Sequence, residues 1–106
     1  MTEVDKSNFD EVVLKNSKPV LVDFWGPGCG RCIQLMPQME KLADVYKDKI
    51  KFVKMNIQGN RRLAMREQVL ALPTFLIYRD GAKIASFEGG FSMEDVKIKL
   101  REIAGE

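Results

Sequence analysis

Cys29 and Cys32 are the only cysteines in the chain, and Gly30 and Arg31 stand between them. An apolar run, Val20-Leu21-Val22-Asp23-Phe24-Trp25, leads into the pair through Gly26-Pro27-Gly28, and a helical pattern leads out. A Cys-x-x-Cys at the junction of a strand and a helix is the arrangement that dithiol–disulfide chemistry requires. Sulfurs at i and i+3 of a first helical turn lie on one face, so they can close a small ring. The first also meets the unpaired N–H groups and positive dipole end of the helix, which favour a thiolate over a thiol. The competing chemistry is metal binding. With no histidine and two thiols, one molecule falls short of the usual four-ligand zinc set, so a metal or iron–sulfur cluster would have to be shared between two chains.

The elements that position the pair follow from periodicity. Met1 to Asp5 offers at most a short edge strand. Ser7 is placed to cap a helix with Asp10 at its N3 position, followed by Phe9, Val12 and Val13 at helical spacing. Val20–Trp25 suits a strand buried on both faces. From Cys29 to about Lys47, Leu35, Met39, Leu42 and Tyr46 form a core-facing stripe, with Pro37 inside it as an expected kink. A strand over 50–57 and a short helix over 61–68 come next. Thr74 to Tyr78, the turn Asp80-Gly81 and Lys83 to Glu88 read as a hairpin. Ser92, with Asp95 at N3, caps a last helix whose buried stripe is Met93, Val96, Leu100 and Ile103. The product is one α/β domain over residues 1–106, a mixed sheet covered by helices.

Composition narrows the function classes. The formal net charge is only +2, with acids and bases interspersed, which gives no electrostatic case for nucleic acid or an anionic membrane. No apolar run approaches the roughly 18 residues of a membrane span. Neither does the start read as a secretion signal, so the expected location is cytoplasmic, where a cysteine pair is catalytic or metal-binding rather than a structural staple. Arg61, Arg62 and Arg66 read as a solvated helix face.

Taken together, Val-Asp-Phe-Trp before Cys-Gly-x-Cys, Pro37 five residues past Cys32, Leu72-Pro73-Thr74 ahead of an apolar strand, and Gly89 after the hairpin resemble the thioredoxin family over essentially the whole chain. The resemblance implies a central five-stranded sheet flanked by four helices and a protein-disulfide reductase. Cys29 would attack a client disulfide, and Cys32 would resolve the mixed disulfide. The family is itself a standard instance of a Cys-x-x-Cys thiol with lowered pKa, so that expectation for Cys29 comes with the resemblance. Asp23 matches the aspartate beneath the cysteines that assists proton transfer, its pKa raised by burial, and Lys54 matches its lysine neighbour. Trp25, Gly28, Gly30, Arg31, Leu72, Pro73, Thr74, Gly89 and Gly90 match the client-docking surface. Within it the Leu72–Pro73 peptide is expected to be cis and the backbone to pair with an extended substrate. Implied partners are disulfide-containing client proteins and an upstream flavoprotein thioredoxin reductase, nicotinamide- or ferredoxin-linked, serving a monomer. The two sulfurs are the redox centre, and no bound cofactor or metal is implied.

Four positions depart from the family pattern. Gly28 stands where a second tryptophan is usual, Arg31 where proline is, and Leu70 and Ala71 where a charged residue and glycine are. Arg31 places a positive charge beside the sulfurs, which would favour the thiolate and a more oxidising couple. Two further readings therefore stand beside the reductase. One is a dithiol oxidase or isomerase tuned by Arg31. The other is a thioredoxin-fold binding module with little general turnover.

Overall fold

Val20–Trp25 forms the central strand, β2, and every residue from Val20 to Phe24 is buried. The computed structural model describes residues 1–106. β2 lies between β3 (Lys51–Asn56), which runs parallel to it, and β4 (Thr74–Arg79), which runs antiparallel. The short β1 (Thr2–Glu3) adds a parallel edge beside β3, and β5 (Ala82–Glu88) an antiparallel edge beside β4. The sheet order is thus β1-β3-β2-β4-β5. Asp80 and Gly81, both with positive φ, make the tight turn of the β4–β5 hairpin.

Alternation along β2 divides the interior into two cores. Val20, Val22 and Phe24 point to one face and pack with Phe9, Val13, Val53, Met55 and Leu63. Leu21 points to the other, against Met39 and Tyr46, Phe75 and Ile77, Val96 and Leu100. The first core is covered by a π-helical segment over Asp10–Leu14 and by α2 (Arg61–Arg66), the second by α1 (Gly30–Val45) and α3 (Met93–Ile103). By the same alternation Asp23 shares the α1/α3 face with Leu21. α1 runs unbroken through Pro37. Ser92 caps α3 as its sequence predicts, its Oγ accepting from the Asp95 N–H at 3.2 Å.

The first helical segment differs from expectation in two ways. Its start is organised by Asp5, not Ser7. The Asp5 carboxylate accepts from the Ser7 N–H at 2.8 Å, and the Asn8 side chain returns a 2.8 Å bond to the Asp5 N–H, a reciprocal box two residues early. The Ser7 hydroxyl donates to Asp5 rather than accepting from the helix. These bonds hold the Asp5 carboxyl below its ordinary range, the Ser7 hydroxyl contributing most. The segment also widens: Lys15 N–H reaches the Asp10 carbonyl five residues back at 3.2 Å, and the Asn16 side chain takes the Val12 carbonyl at 3.1 Å.

Asp10, expected at the cap, instead meets Arg66 at 2.6 Å. Arg66 also binds Glu67 at 2.9 Å and lies over the Phe9 ring. It therefore fastens α2 to the π-helical segment while itself staying exposed, so the solvated face read for Arg61, Arg62 and Arg66 stands and carries one ion-pair cluster that the sequence did not show. Arg61 and Arg62, also exposed, make no ion pair. Asp5→Ala is expected to lower Tm measurably more than Ser7→Ala, because only the first removes an acceptor of the box. Thermal unfolding followed by circular dichroism checks the order, and an equal or reversed pair of shifts contradicts it.

Candidate active site

At its C-terminal end β2 delivers the chain into Gly26-Pro27-Gly28, and the Cys29 N–H closes that turn on the Gly26 carbonyl at 3.0 Å. Gly26 lies in tight quarters. A Cβ there would sit 3.1 Å from Leu72 Cδ1 and 3.6 Å from Ile57 Cγ1. Cys29 is the N-cap of α1, with extended backbone, and its Sγ accepts the Cys32 N–H at 3.1 Å. One of the orphan donors of the helix start is thus aimed at the first sulfur.

Cys29 and Cys32 are joined as a disulfide, with Cα atoms 5.3 Å apart. Cys29 is part-exposed, while Cys32 is only 1% exposed. The pair is asymmetric in the way that exchange chemistry needs: one sulfur can be reached, and the other waits behind it. No cluster of three or more His, Cys, Asp or Glu side chains is gathered to hold a metal.

Gly28 and Cys29 line a cleft of about 390 Å³ with Gly26, Pro27, Ile57, Gln58, Arg61 and Leu72. Through Ile57, Arg61 and Leu72 it continues into an apolar groove of about 190 Å³ beside Met65, Val69, Leu70 and Ala71. Leu70 stands 86% exposed at its rim. A larger recess of about 590 Å³ lies at the far end of β2 and β3, lined by Met1, Asn16, Lys18 and Lys51, and contains none of the expected site residues. Pro73 is buried and its peptide with Leu72 is cis. Thr74 is buried and its hydroxyl donates to the Ala71 carbonyl at 2.6 Å. Gly28, Gly30 and Gly90 have open space where a Cβ would be, so no neighbour there demands glycine.

Asp23 is 1% exposed, and its Oδ1 has no hydrogen-bond partner within the chain. Burial pushes its carboxyl up to about 7. Lys54 opposes the shift, while Glu3 and Glu40 add to it. Lys54 is the register partner of both Asp23 on β2 and Glu3 on β1, so it stands between two carboxylates. Trp25 is half-buried, its indole Nε1–H donating to Glu3 at 3.3 Å. Glu40, on α1, contacts the N-terminal ammonium of Met1.

On the other flank of α1's first turn, Arg31 reaches away to Gly89 and Phe91. The expected residues therefore fall into three groups: the cleft (Gly28, Cys29, Leu72), the interior (Asp23, Trp25, Cys32, Lys54) and the Gly89–Gly90 side (Arg31). Sequence reading passed over Gly26, Ile57, Arg61, Glu3, Glu40 and Phe91. Phe91, an aromatic directly after a Gly-Gly pair, carried a usable signal. Glu3 carried none, because only strand register brings it beside Lys54.

Residues 1–102 match the family model described as Thioredoxin. The chain is 45% identical over 84 residues to a thioredoxin of Acetoanaerobium sticklandii, covering 79% of this chain and 80% of that protein. It is 37% identical over 86 residues to thioredoxin 1 of Synechococcus elongatus, covering 81% and 80%. With a thioredoxin of Porphyra purpurea the match is 34% over 102 residues, covering 96% and 95%.

The raised Asp23 pKa makes stability depend on pH. Its unfolded value is near 3.8 and its folded value about 7, so between these the folded state binds the extra proton. Stability from this group is therefore full at acid pH and falls as pH rises towards 7, with a difference of roughly 4 kcal/mol as an order of magnitude. Asp23→Asn should flatten this slope and raise the stability of the oxidised protein at pH 8 above wild type. Urea unfolding at pH 5 and pH 8 tests it; an unchanged slope in the variant would assign the dependence to other groups.

Proposed function

The chain belongs to the thioredoxin family and is a thiol–disulfide oxidoreductase of the protein-disulfide reductase kind, and we propose that Cys29 is its nucleophile and Cys32 its resolving thiol. The observation that carries these roles is the asymmetric pair itself, a part-exposed Cys29 at the N-cap of α1 and a buried Cys32 one turn in. In the reduced protein the helix N-terminus and the Cys32 N–H favour a thiolate at Cys29. That thiolate attacks one sulfur of a client disulfide. The client S–S bond breaks, the second client sulfur leaves as a thiolate, and a mixed disulfide forms on Cys29.

Cys32 then gives up its proton and attacks Cys29 Sγ, releasing the client's first sulfur as a thiolate. Two electrons have passed to the client, whose two thiolates take protons from solvent; the proton of Cys32 rests on Asp23, and the Cys29–Cys32 disulfide remains. Asp23 is the base for Cys32. It lies on the sheet face that α1 covers, and burial keeps its carboxyl near 7, suited to exchange a proton at neutral pH. Lys54, beside it in register, steadies the charged form.

Clients dock in the cleft at Gly28, Cys29 and Leu72, with Pro73, Thr74, Gly89 and Gly90 offering backbone to an extended segment. The family implies two kinds of partner, disulfide-bearing client proteins and a thioredoxin reductase. The reading proposed here is a monomer served by a flavoprotein reductase, nicotinamide- or ferredoxin-linked. A cytoplasmic location belongs to the same reading, supported by the need to re-reduce the pair at each turnover.

Turnover of insulin disulfides driven by dithiothreitol tests the roles. Cys29→Ser should fall to the uncatalysed background, and Cys32→Ser should accumulate a mixed disulfide visible by mass spectrometry. Asp23→Asn should slow resolution by about 10- to 100-fold and remove a rise in rate through pH 7. Turnover retained in Cys29→Ser would overturn the assignment.

A further inference from the structure

Arg31 occupies the second position of α1, and its guanidinium leaves the helix for the connection between β5 and α3. Nη1 donates to the Gly89 carbonyl at 2.9 Å and Nη2 to the Phe91 carbonyl at 2.6 Å. The guanidinium carbon lies 4.6 Å from the centre of the Phe91 ring. That ring is anchored in turn, 5.0 Å from Phe75 and 6.0 Å from Phe87. Meanwhile Gly89, Gly90 and Phe91 make no backbone–backbone hydrogen bond. The two bonds from Arg31 are the only hydrogen bonds the loop backbone receives.

We propose that Arg31 is a specificity-determining positioning residue that holds the Gly89–Phe91 loop against the first turn of α1 as a preformed wall for protein clients. The proposal rests on the disulfide-exchange reading above and assigns this chain's unusual inter-cysteine residue a task within it. A loop of two glycines and one aromatic, with no ladder of its own, samples many conformations when free. An extended client segment that pairs with it must then order it on binding, which weakens association. The planar fork of arginine suits two neighbouring carbonyls, and its face suits the Phe91 ring; a lysine ammonium offers neither. The two donors that could otherwise face the sulfurs are committed to the loop.

Arg31→Lys separates this role from a purely electrostatic one, because it keeps the charge and loses the fork. With a reduced protein in excess of dithiothreitol, KM for insulin should rise roughly tenfold while kcat changes by less than about twofold. The rise should be smaller for a low-mass disulfide, which has no extended flanks to lay on the loop. Backbone NMR order parameters at Gly90 and Phe91 should be lower in the variant, and the Cys29–Cys32 reduction potential should match wild type. A wild-type KM in Arg31→Lys, equal losses for both substrates, or unchanged order parameters at Gly90 and Phe91 would each overturn the proposal. Failure of the wild-type protein to reduce either substrate would instead sink the exchange reading, and the order parameters would still decide the tether.

Discussion

β2 is hydrogen-bonded on both edges and buried on both faces, so its register decides the placement of every group in the site. A slip of one residue against β3 and β4 would turn Asp23 into the core of Phe9, Val13 and Leu63, and drive Val22 or Phe24 towards α1. It would also shift the exit at Trp25, from which the Gly26–Gly28 turn launches Cys29. Such a slip would bury the same apolar residues against cores of different shape, and those cores are filled by different partners. Met39 and Tyr46 of α1 match Leu21, while the π-helical segment and α2 match Val20, Val22 and Phe24. Packing on two sides thus pins one strand, and the strand pins the chemistry.

Within that frame, Asp23 is a polar defect that the fold leaves uncompensated. Lys54 is near enough in register to oppose the loss of hydration, yet Oδ1 has no hydrogen bond, and Glu3 and Glu40 push the other way. A fold selected for stability alone would have an apolar residue here, continuing the pattern of Leu21. A carboxyl that stays protonated to about pH 7, on the sheet face that α1 covers, is matched to the proton transfer proposed above for Cys32. The acids around it work against the lysine, Glu3 ahead of Glu40. Glu3 is drawn into place by its bond from the Trp25 indole, so the single tryptophan also helps set the charge environment of the buried group.

Local rules predicted what local forces control. The alternation of β2, the stripe of α1, the Asp80-Gly81 turn and the Ser92 cap are all decided within a few residues, and they stand in the structure as the sequence implies. The strand order came only through family resemblance, because it depends on contacts between distant segments. The start of the first helical segment was misplaced for a physical reason. Asp5, Ser7 and Asn8 all carry capping side chains, and the choice among them is settled by where Phe9 and Val13 must enter the core. The ion pair of Arg66, on a face correctly read as solvated, was not legible because its partner Asp10 lies 56 residues away in sequence. Gly26 looked like one more loop glycine, whereas the approach of Leu72 from the β4 side leaves a side chain there only a tight fit.

The departures from the family pattern behave differently from one another once placed in three dimensions. Gly28 and Ala71 open space around the Cys29 cleft, and Leu70 adds an apolar rim to the groove that continues from it. On that flank the surface is shallow, apolar and unbraced, with Arg61 as its nearby unpaired cation. On the opposite flank Arg31 braces a loop that makes no backbone hydrogen bonds of its own. The sulfur pair therefore sits between an adaptable wall and a fastened one. On the docking reading proposed above, a client approaching Cys29 would meet side chains of Met65, Leu70 and Arg61 on one flank and the backbone of Gly89 and Gly90 on the other. The same residue that stands between the cysteines in sequence thereby sets how well the second wall is formed before the client arrives.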